Sequence, residues 1–215
     1  MLSVIHPHTE LIETMRLHRT GLVPLLALHL KRLEYSARTL GYPYQQNSIL
    51  QALQPYFLRR YTQPQRLRLT LGRTGKITVQ CQPLAETAQP VRLALSPLNP
   101  LAPAILLQHK TTQRQHWAQG ERWLQQHPSF FDVIYFDQNQ QITEGGRSNI
   151  YILKNNRWVT PSLKQPLLAG VQRQYLLDQG WVSEEDITKK DLLHAPRIRI
   201  SNALRGWLDA RLDHF

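Results

Sequence analysis

Four places in the chain hold residues whose types and spacing could do chemistry. They are "HLKRL" at 29–33, "HKTTQR" at 109–114, "TEGGRSNIYIL" at 143–153 with "LLAGVQR" at 167–173, and "SNALRG" at 201–206. Lys110 is either one solvated charge among 26 Lys+Arg or a reactive amine. Arg32 carries a planar guanidinium, the side chain best shaped to hold a carboxylate or phosphate by two parallel bonds. Gly170-Val171-Gln172 opens a helical pattern, and the first N–H groups of a helix are a ready anion site. Glu144, beside two glycines, is either a turn glutamate or the acid of a site. Arg16, Arg68, Arg73 and Arg205 are further candidates for binding carboxylates.

Other chemistries lack their patterns. Nine histidines are present, but neither HExxH nor a paired i, i+4 histidine arrangement occurs, so no metal is expected. Cys81 is the single cysteine, which excludes an intrachain disulfide and a cysteine-based zinc site. Ser148 and Ser162 stand outside any GxSxG elbow, and neither a P-loop nor a GxGxxG fingerprint appears. Trp117, Trp123 and Trp207 read as packing residues.

These residues need elements to position them. Leu26, Leu30, Leu33, Ala37 and Leu40 recur at helical spacing, with Pro24 near the start and Gly41 just past the end; His29 and Arg32 fall near the edge of that stripe. A short helix near 48–56 is expected behind Asn47 as a cap. The period then changes to two: "RLRLTLGRTGKITVQCQ", 66–82, reads as a hairpin turning at "GRTG", and "VRLALS" as a further strand. "PLNPLAPA", 97–104, with three prolines in eight residues, reads as a semi-stiff connector. Lys110 is expected at an apolar strand end formed by "AILLQ", followed by a helix over about 113–126. "DVIYFD", "SNIYIL", "RWVTP" and "RIRIS" are strands, "GVQRQYLLDQG" is a helix, and "EEDITKKDLLHA" is a strand end and a short helix. Strands and helices mix without regular βαβ alternation, so the fold class is α+β. The expected division is a small N-terminal α+β domain at 1–96, the connector at 97–104, and a larger C-terminal domain at 105–215 carrying Lys110.

The formal charge is +11 and the chain is 41% hydrophobic over 215 residues, enough for a real core. The basic residues are scattered rather than massed in a tail, which argues against nucleic acid and suits a small anionic substrate. "MLSVIHPHTE" lacks a cationic leader and no apolar run approaches a membrane span, so the expected setting is the cytoplasm, with no membrane partner.

Taken in order, the four places resemble the fold-type-IV pyridoxal-phosphate enzymes, the class of branched-chain and D-amino-acid aminotransferases and aminodeoxychorismate lyase. The resemblance runs from about Leu11 to Trp207, and "LIETMR", "HLKRLEYSARTLGY" and "SNALRGW" look most like the lyase branch. It implies two small α/β domains of the D-amino-acid aminotransferase type and pyridoxal 5'-phosphate as cofactor. It makes Lys110 the Schiff-base lysine, Glu144 the partner of the pyridine nitrogen, and Arg32, Val171, Gln172, Asn202 and Ala203 the phosphate ligands, with Asn149 ordering its loop. Ala169 stands where many relatives have proline. The implied activity is elimination of pyruvate from 4-amino-4-deoxychorismate to give p-aminobenzoate for folate synthesis. The alternatives are an aminotransferase of the same fold and a non-catalytic member. A homodimer is implied as well. The strand and the Asp-Arg-Gly loop that usually precede "LIETMR" in the family are expected to be missing, because the ten residues before Leu11 are too few to hold them.

Overall fold

The computed structural model describes residues 4–98 and 102–213. The chain forms two compact units: the chain up to Glu86 together with His109–Gln113, and Thr87–Gln108 with the chain from Arg114 onward. The lysine segment therefore belongs to the first unit, although it follows the proline-rich stretch in sequence. That stretch, 97–104, overlaps residues 99–101, which lie outside the described residues.

In the first unit, β1 (Leu11–Leu17), β2 (Gln65–Leu71) and β3 (Ile77–Pro83) form an antiparallel sheet in that order. The β2–β3 hairpin turns where the glycines place it, with Gly72 N–H bonded to Lys76 O at 2.9 Å. Alternation sends Leu11, Glu13, Met15, Leu17, Leu67, Leu69 and Leu71 to one face, under α1 (Leu26–Leu40) and α2 (Gln46–Phe57). Leu33, Leu40, Ile49 and Leu53 meet them, and each such side chain contributes about 1.5–3 kcal/mol by leaving water. Two details differ from the sequence reading. The buried side of α1 runs through His29, Leu33, Ser36, Ala37 and Leu40 rather than Leu26 and Leu30, because polar groups on the sheet and on the lysine segment draw His29 and Ser36 inward. Asn47 lies inside α2, whose N-cap is Gln45 without a side-chain bond.

The second unit is built on an eight-stranded mixed sheet. Its strands are β4 (Val91–Pro97), β5 (Asp132–Phe136), β6 (Ile142–Gly145), β7 (Asn149–Lys154), β8 (Arg157–Thr160), β9 (Ser183–Glu184), β10 (Ile198–Asn202) and β11 (Gly206–Leu212). The order across the sheet is β6-β5-β4-β11-β10-β7-β8-β9. Leu93, Ile134, Ile150, Ile152, Ile200 and Leu208 form its main core. The expected strand end before Lys110 is instead a short helix, α3 (Ala104–Gln108); five apolar or neutral residues behind Pro103 suit either state, and packing of Leu106 and Leu107 decides it. A 3-10 turn at Gln115–Trp117 leads into α4 (Ala118–Gln126); α5 (Val171–Asp178) and α6 (Lys189–Leu193) follow. One sheet with its helices in each unit, strands and helices mixed without regular alternation, makes an α+β fold.

Candidate active site

Lys110 sits on a segment that acts as a fragment of a fourth strand beside β1. Thr111 bridges Leu11 in antiparallel register, Ile12 N–H donates to Lys110 O at 2.9 Å, and Thr112 N–H donates to Glu10 O at 2.9 Å. Gln113 locks the same segment: its Oε1 accepts from His6 N–H and Thr9 Oγ1, and its Nε2 donates to Val4 O. Lys110 thus lies opposite Ile12 in the register of that bridge and by strand alternation shares its side. His109 and Thr111 take the other face, where His109 Nδ1 meets Ser36 Oγ at 2.9 Å and its ring stacks on Tyr35. The remaining positions on the lysine's face are Thr14 and Arg16 of β1, Arg66, Arg68 and Thr70 of β2, and Thr78, Gln80 and Gln82 of β3. That face carries three arginines and no carboxylate. The Nε of Arg16 is buried without a hydrogen-bond partner.

Arg32 is held from behind by a residue that sequence reading overlooked. Glu13, on the helix side of β1 and 2% exposed, accepts from Arg32 Nε at 2.8 Å and Nη2 at 2.6 Å, and from His29 Nδ1 at 2.6 Å. Burial alone would raise the Glu13 pKa; the Arg32 and His29 contacts outweigh it and hold the carboxyl at about 2. His29 is pushed below its ordinary value, first by burial, with the Arg32 and Lys110 cations acting in the same direction against Glu13. It is therefore a neutral imidazole at pH 7 that donates from Nδ1.

In the second unit, Glu144 stands on β6, 4% exposed, rather than in a turn. Its Oε1 accepts from Leu168 N–H at 3.0 Å, while Asn149 Nδ2 donates to Leu168 O at 3.0 Å, so Glu144 and Asn149 together fix the "LLAG" loop. Asp132, fully buried at the head of β5, organises the turn after Glu144. Its carboxylate accepts from Ser148 Oγ at 2.5 Å, Arg147 N–H at 3.1 Å and Val133 N–H at 2.9 Å. Burial raises its pKa despite those donors. A Cβ on Gly145 would lie 2.3 Å from Asp132 Oδ2 and 2.8 Å from Ser148 Oγ, so only glycine lets the acid close on the turn.

Gly170 is the N-cap of α5 and offers no side-chain cap, leaving the helix's first N–H groups, those of Val171 and Gln172 among them, uncapped by any side chain. A Cβ there would meet Asn149 Oδ1 at 1.9 Å. Asn149 pairs with Ser201 across β7 and β10, and Ser201 leads into the β10–β11 turn, where Asn202 Oδ1 accepts from Arg205 N–H at 2.9 Å. The α5 start and the turn holding Asn202 and Ala203 are thereby brought side by side. Arg205 points back to Thr87 Oγ1 at 2.5 Å. Each unit gathers its own share of the residues singled out from the sequence: Arg32 and Lys110 in the first; Glu144, Val171, Gln172, Asn202 and Ala203 in the second. Glu13, Gln113 and Asp132 were missed, since nothing local marks an acid or amide as buried.

Among the described residues no cluster of three His, Cys, Asp or Glu side chains is placed to hold a metal, and no helix is long and apolar enough to cross a membrane. The donor set of the second unit, a buried carboxylate and uncapped helix N–H groups, has the composition that a phosphorylated pyridine cofactor requires.

The fold and these donors define a fold-type-IV enzyme, and comparison with known proteins agrees. Residues 10–212 match the family described as "Amino-transferase class IV". A Schizosaccharomyces pombe protein named "Putative aminodeoxychorismate lyase" is 28% identical over 194 residues, covering 84% of this chain and 80% of its own. A Mesorhizobium loti structure described as a "Putative amino-acid aminotransferase" is 30% identical, with a TM-score of 0.82 over 95% of this chain and all of that one. The pyridoxal-phosphate-bound form of a Mycobacterium tuberculosis protein, described as a hypothetical aminotransferase, shares the fold at TM-score 0.82 and 21% identity, over 99% of this chain and 84% of its own. The chain belongs to the class IV aminotransferase family and is a pyridoxal-phosphate-dependent enzyme.

Proposed function

We propose that the protein is a 4-amino-4-deoxychorismate lyase, releasing pyruvate and p-aminobenzoate. The observation that carries this reading is the face on which Lys110 is mounted: Arg16, Arg66 and Arg68 with no carboxylate among them, a field suited to a substrate bearing two carboxylates. The named Schizosaccharomyces pombe relative points the same way. When bound, the cofactor supplies a protonated pyridine ring that accepts the electrons left when a C–H bond breaks.

The chain's residues do the rest. Lys110 Nζ would be the attachment point for the cofactor and, with its amine free, would remove the proton from the amine-bearing ring carbon of the substrate. The C–O bond at the adjacent carbon then breaks, its electron pair leaving with the pyruvate enol, which takes up a proton; the ring becomes aromatic. Glu144 would keep the cofactor's pyridine nitrogen protonated. In the second unit the Val171 and Gln172 N–H groups, Asn202 and the Ala203 backbone would be phosphate donors, and in the first unit Arg32 is the phosphate arginine of this reading. The reading includes a cytoplasmic homodimer serving folate synthesis and handling no nucleic acid.

The test is incubation of the holoenzyme with 4-amino-4-deoxychorismate alone, which is expected to release pyruvate and p-aminobenzoate in equal amounts. The Mesorhizobium loti likeness favours a second reading, an amino-acid aminotransferase. That enzyme would stop after half a turnover with one amino acid and resume only with a keto acid. Steady transamination without p-aminobenzoate replaces the first reading by the second. Borohydride reduction of the holoenzyme is expected to fix the cofactor on the "LLQHKTTQR" peptide; label elsewhere removes Lys110 from its role. Sedimentation as an active monomer would remove the dimer.

A further inference from the structure

Glu13 presents an electrostatic puzzle. A carboxylate 2.6–2.8 Å from Arg32 subtracts negative-phosphate affinity by simple charge arithmetic, yet it is buried and doubly bonded to that arginine, with His29 as a third member. All three belong to the first unit, Glu13 on β1 and His29 and Arg32 one turn apart on α1. Glu13 engages the Nε–Nη2 side of the guanidinium with both oxygens, a contact that fixes the plane of the group and not merely its distance. His29 in turn fixes the carboxylate: its Nδ1–H donates to Oε2, the same oxygen that accepts Arg32 Nη2. An arginine side chain otherwise has four rotatable bonds, and ordering it at the moment of binding costs entropy. The cluster meets that cost during folding.

We infer that Glu13 and His29 are positioning residues that set the Arg32 guanidinium in advance for the cofactor's phosphate, and so give the protein its discrimination between phosphorylated and unphosphorylated cofactor. The inference rests on the reading of Arg32 as the phosphate arginine. It makes a prediction opposite in sign to charge arithmetic: removing the negative charge of Glu13 weakens phosphate binding instead of strengthening it.

Apoprotein variants are titrated with pyridoxal 5'-phosphate and with pyridoxal, following the absorbance of the bound aldehyde. Glu13→Gln is expected to lower affinity for the phosphorylated cofactor about tenfold or more, while pyridoxal affinity stays within about threefold of wild type. His29→Ala moves the ratio of the two affinities in the same direction by a smaller factor. Equal losses for both ligands mean a merely structural role, and unchanged or tighter phosphate binding means charge dominates; either overturns the inference. Arg32→Ala separates the two levels: if it leaves the ratio at the wild-type value, the phosphate reading of Arg32 fails. If it collapses the ratio while Glu13→Gln and His29→Ala do not, the positioning role alone fails. Where Glu13→Gln does not fold, Glu13→Asp, which keeps the charge but withdraws the oxygens, is expected to show the same phosphate-specific loss, and a wild-type ratio there overturns the inference.

Discussion

Glu13 in the first unit and Asp132 in the second are both buried carboxylates, each with several hydrogen-bond donors, and their pKa values move in opposite directions. Burial acts on both and disfavours the charge. Glu13 has a guanidinium on two of its bonds and is driven down to about 2; Asp132 is bonded by a hydroxyl and two backbone N–H groups, with the Arg147 cation acting on it without a direct bond, and burial wins. Neutral donors and a cation that is not bonded to the carboxylate do not secure a buried anion as a directly bonded guanidinium does. The two units use acids accordingly: the first to hold a cationic side chain, the second to shape backbone around Glu144.

The largest expected effect comes from deleting the counter-charge. Arg32→Ala leaves Glu13 buried beside a neutral imidazole, so the Glu13 pKa is expected to rise, and cofactor binding to weaken by about 2–5 kcal/mol. An absorbance titration showing unchanged cofactor affinity would break the comparison on the first unit's side.

The pH dependence of stability follows next. A carboxyl held at about 2, against an ordinary value of 4.5, contributes stability that is present above pH 4.5 and lost as pH falls toward 2, about 3 kcal/mol in all. Asp132 contributes with the opposite sign: its raised pKa favours the fold as pH falls through the ordinary carboxylate range, and that contribution is lost as pH rises. Urea unfolding of Glu13→Gln between pH 5 and pH 2.5 is expected to show a flatter profile than wild type. A parallel profile would mean that Glu13 does not carry the ion-pair energy assigned to it.

In the second unit the expected losses are smaller. Gly145→Ala drives a methyl against Asp132 and Ser148 and is expected to cost about 1–3 kcal/mol in urea unfolding. Ser148→Ala strips one donor from Asp132 and is expected to cost about 1–2 kcal/mol in thermal or urea unfolding. If Ser148→Ala proved neutral, the Asp132 turn would be held by backbone donors alone.

The legible parts of this protein were those with local periodicity or local turn chemistry. The β2–β3 hairpin shows in alternation and paired glycines, and α1 in its spacing and closing Gly41. The order of "HLKRL", "HKTTQR", "TEGGRSN", "LLAGVQR" and "SNALRG" named the family without any geometry. β1 was not legible as a strand, because Leu11 and Ile12 break the alternation and Glu13 occupies an inward position. β11 escaped for a similar reason: "GWLDARL" shows only Leu208 buried, and its pairing with β10 and β4 makes it a strand.

By itself, then, the sequence determined the short-range elements and the family, and it supplied the residues on which the proposed site draws. Tertiary structure alone decided their company. That Lys110 joins the first unit as a strand fragment beside β1, that Glu13 lies under Arg32 and His29, and that Asp132 closes on Gly145 are pairings between residues 13 to 100 positions apart. Burial of a charge is acceptable only where its partner arrives, and no local pattern records a partner that the chain supplies from so far along its length.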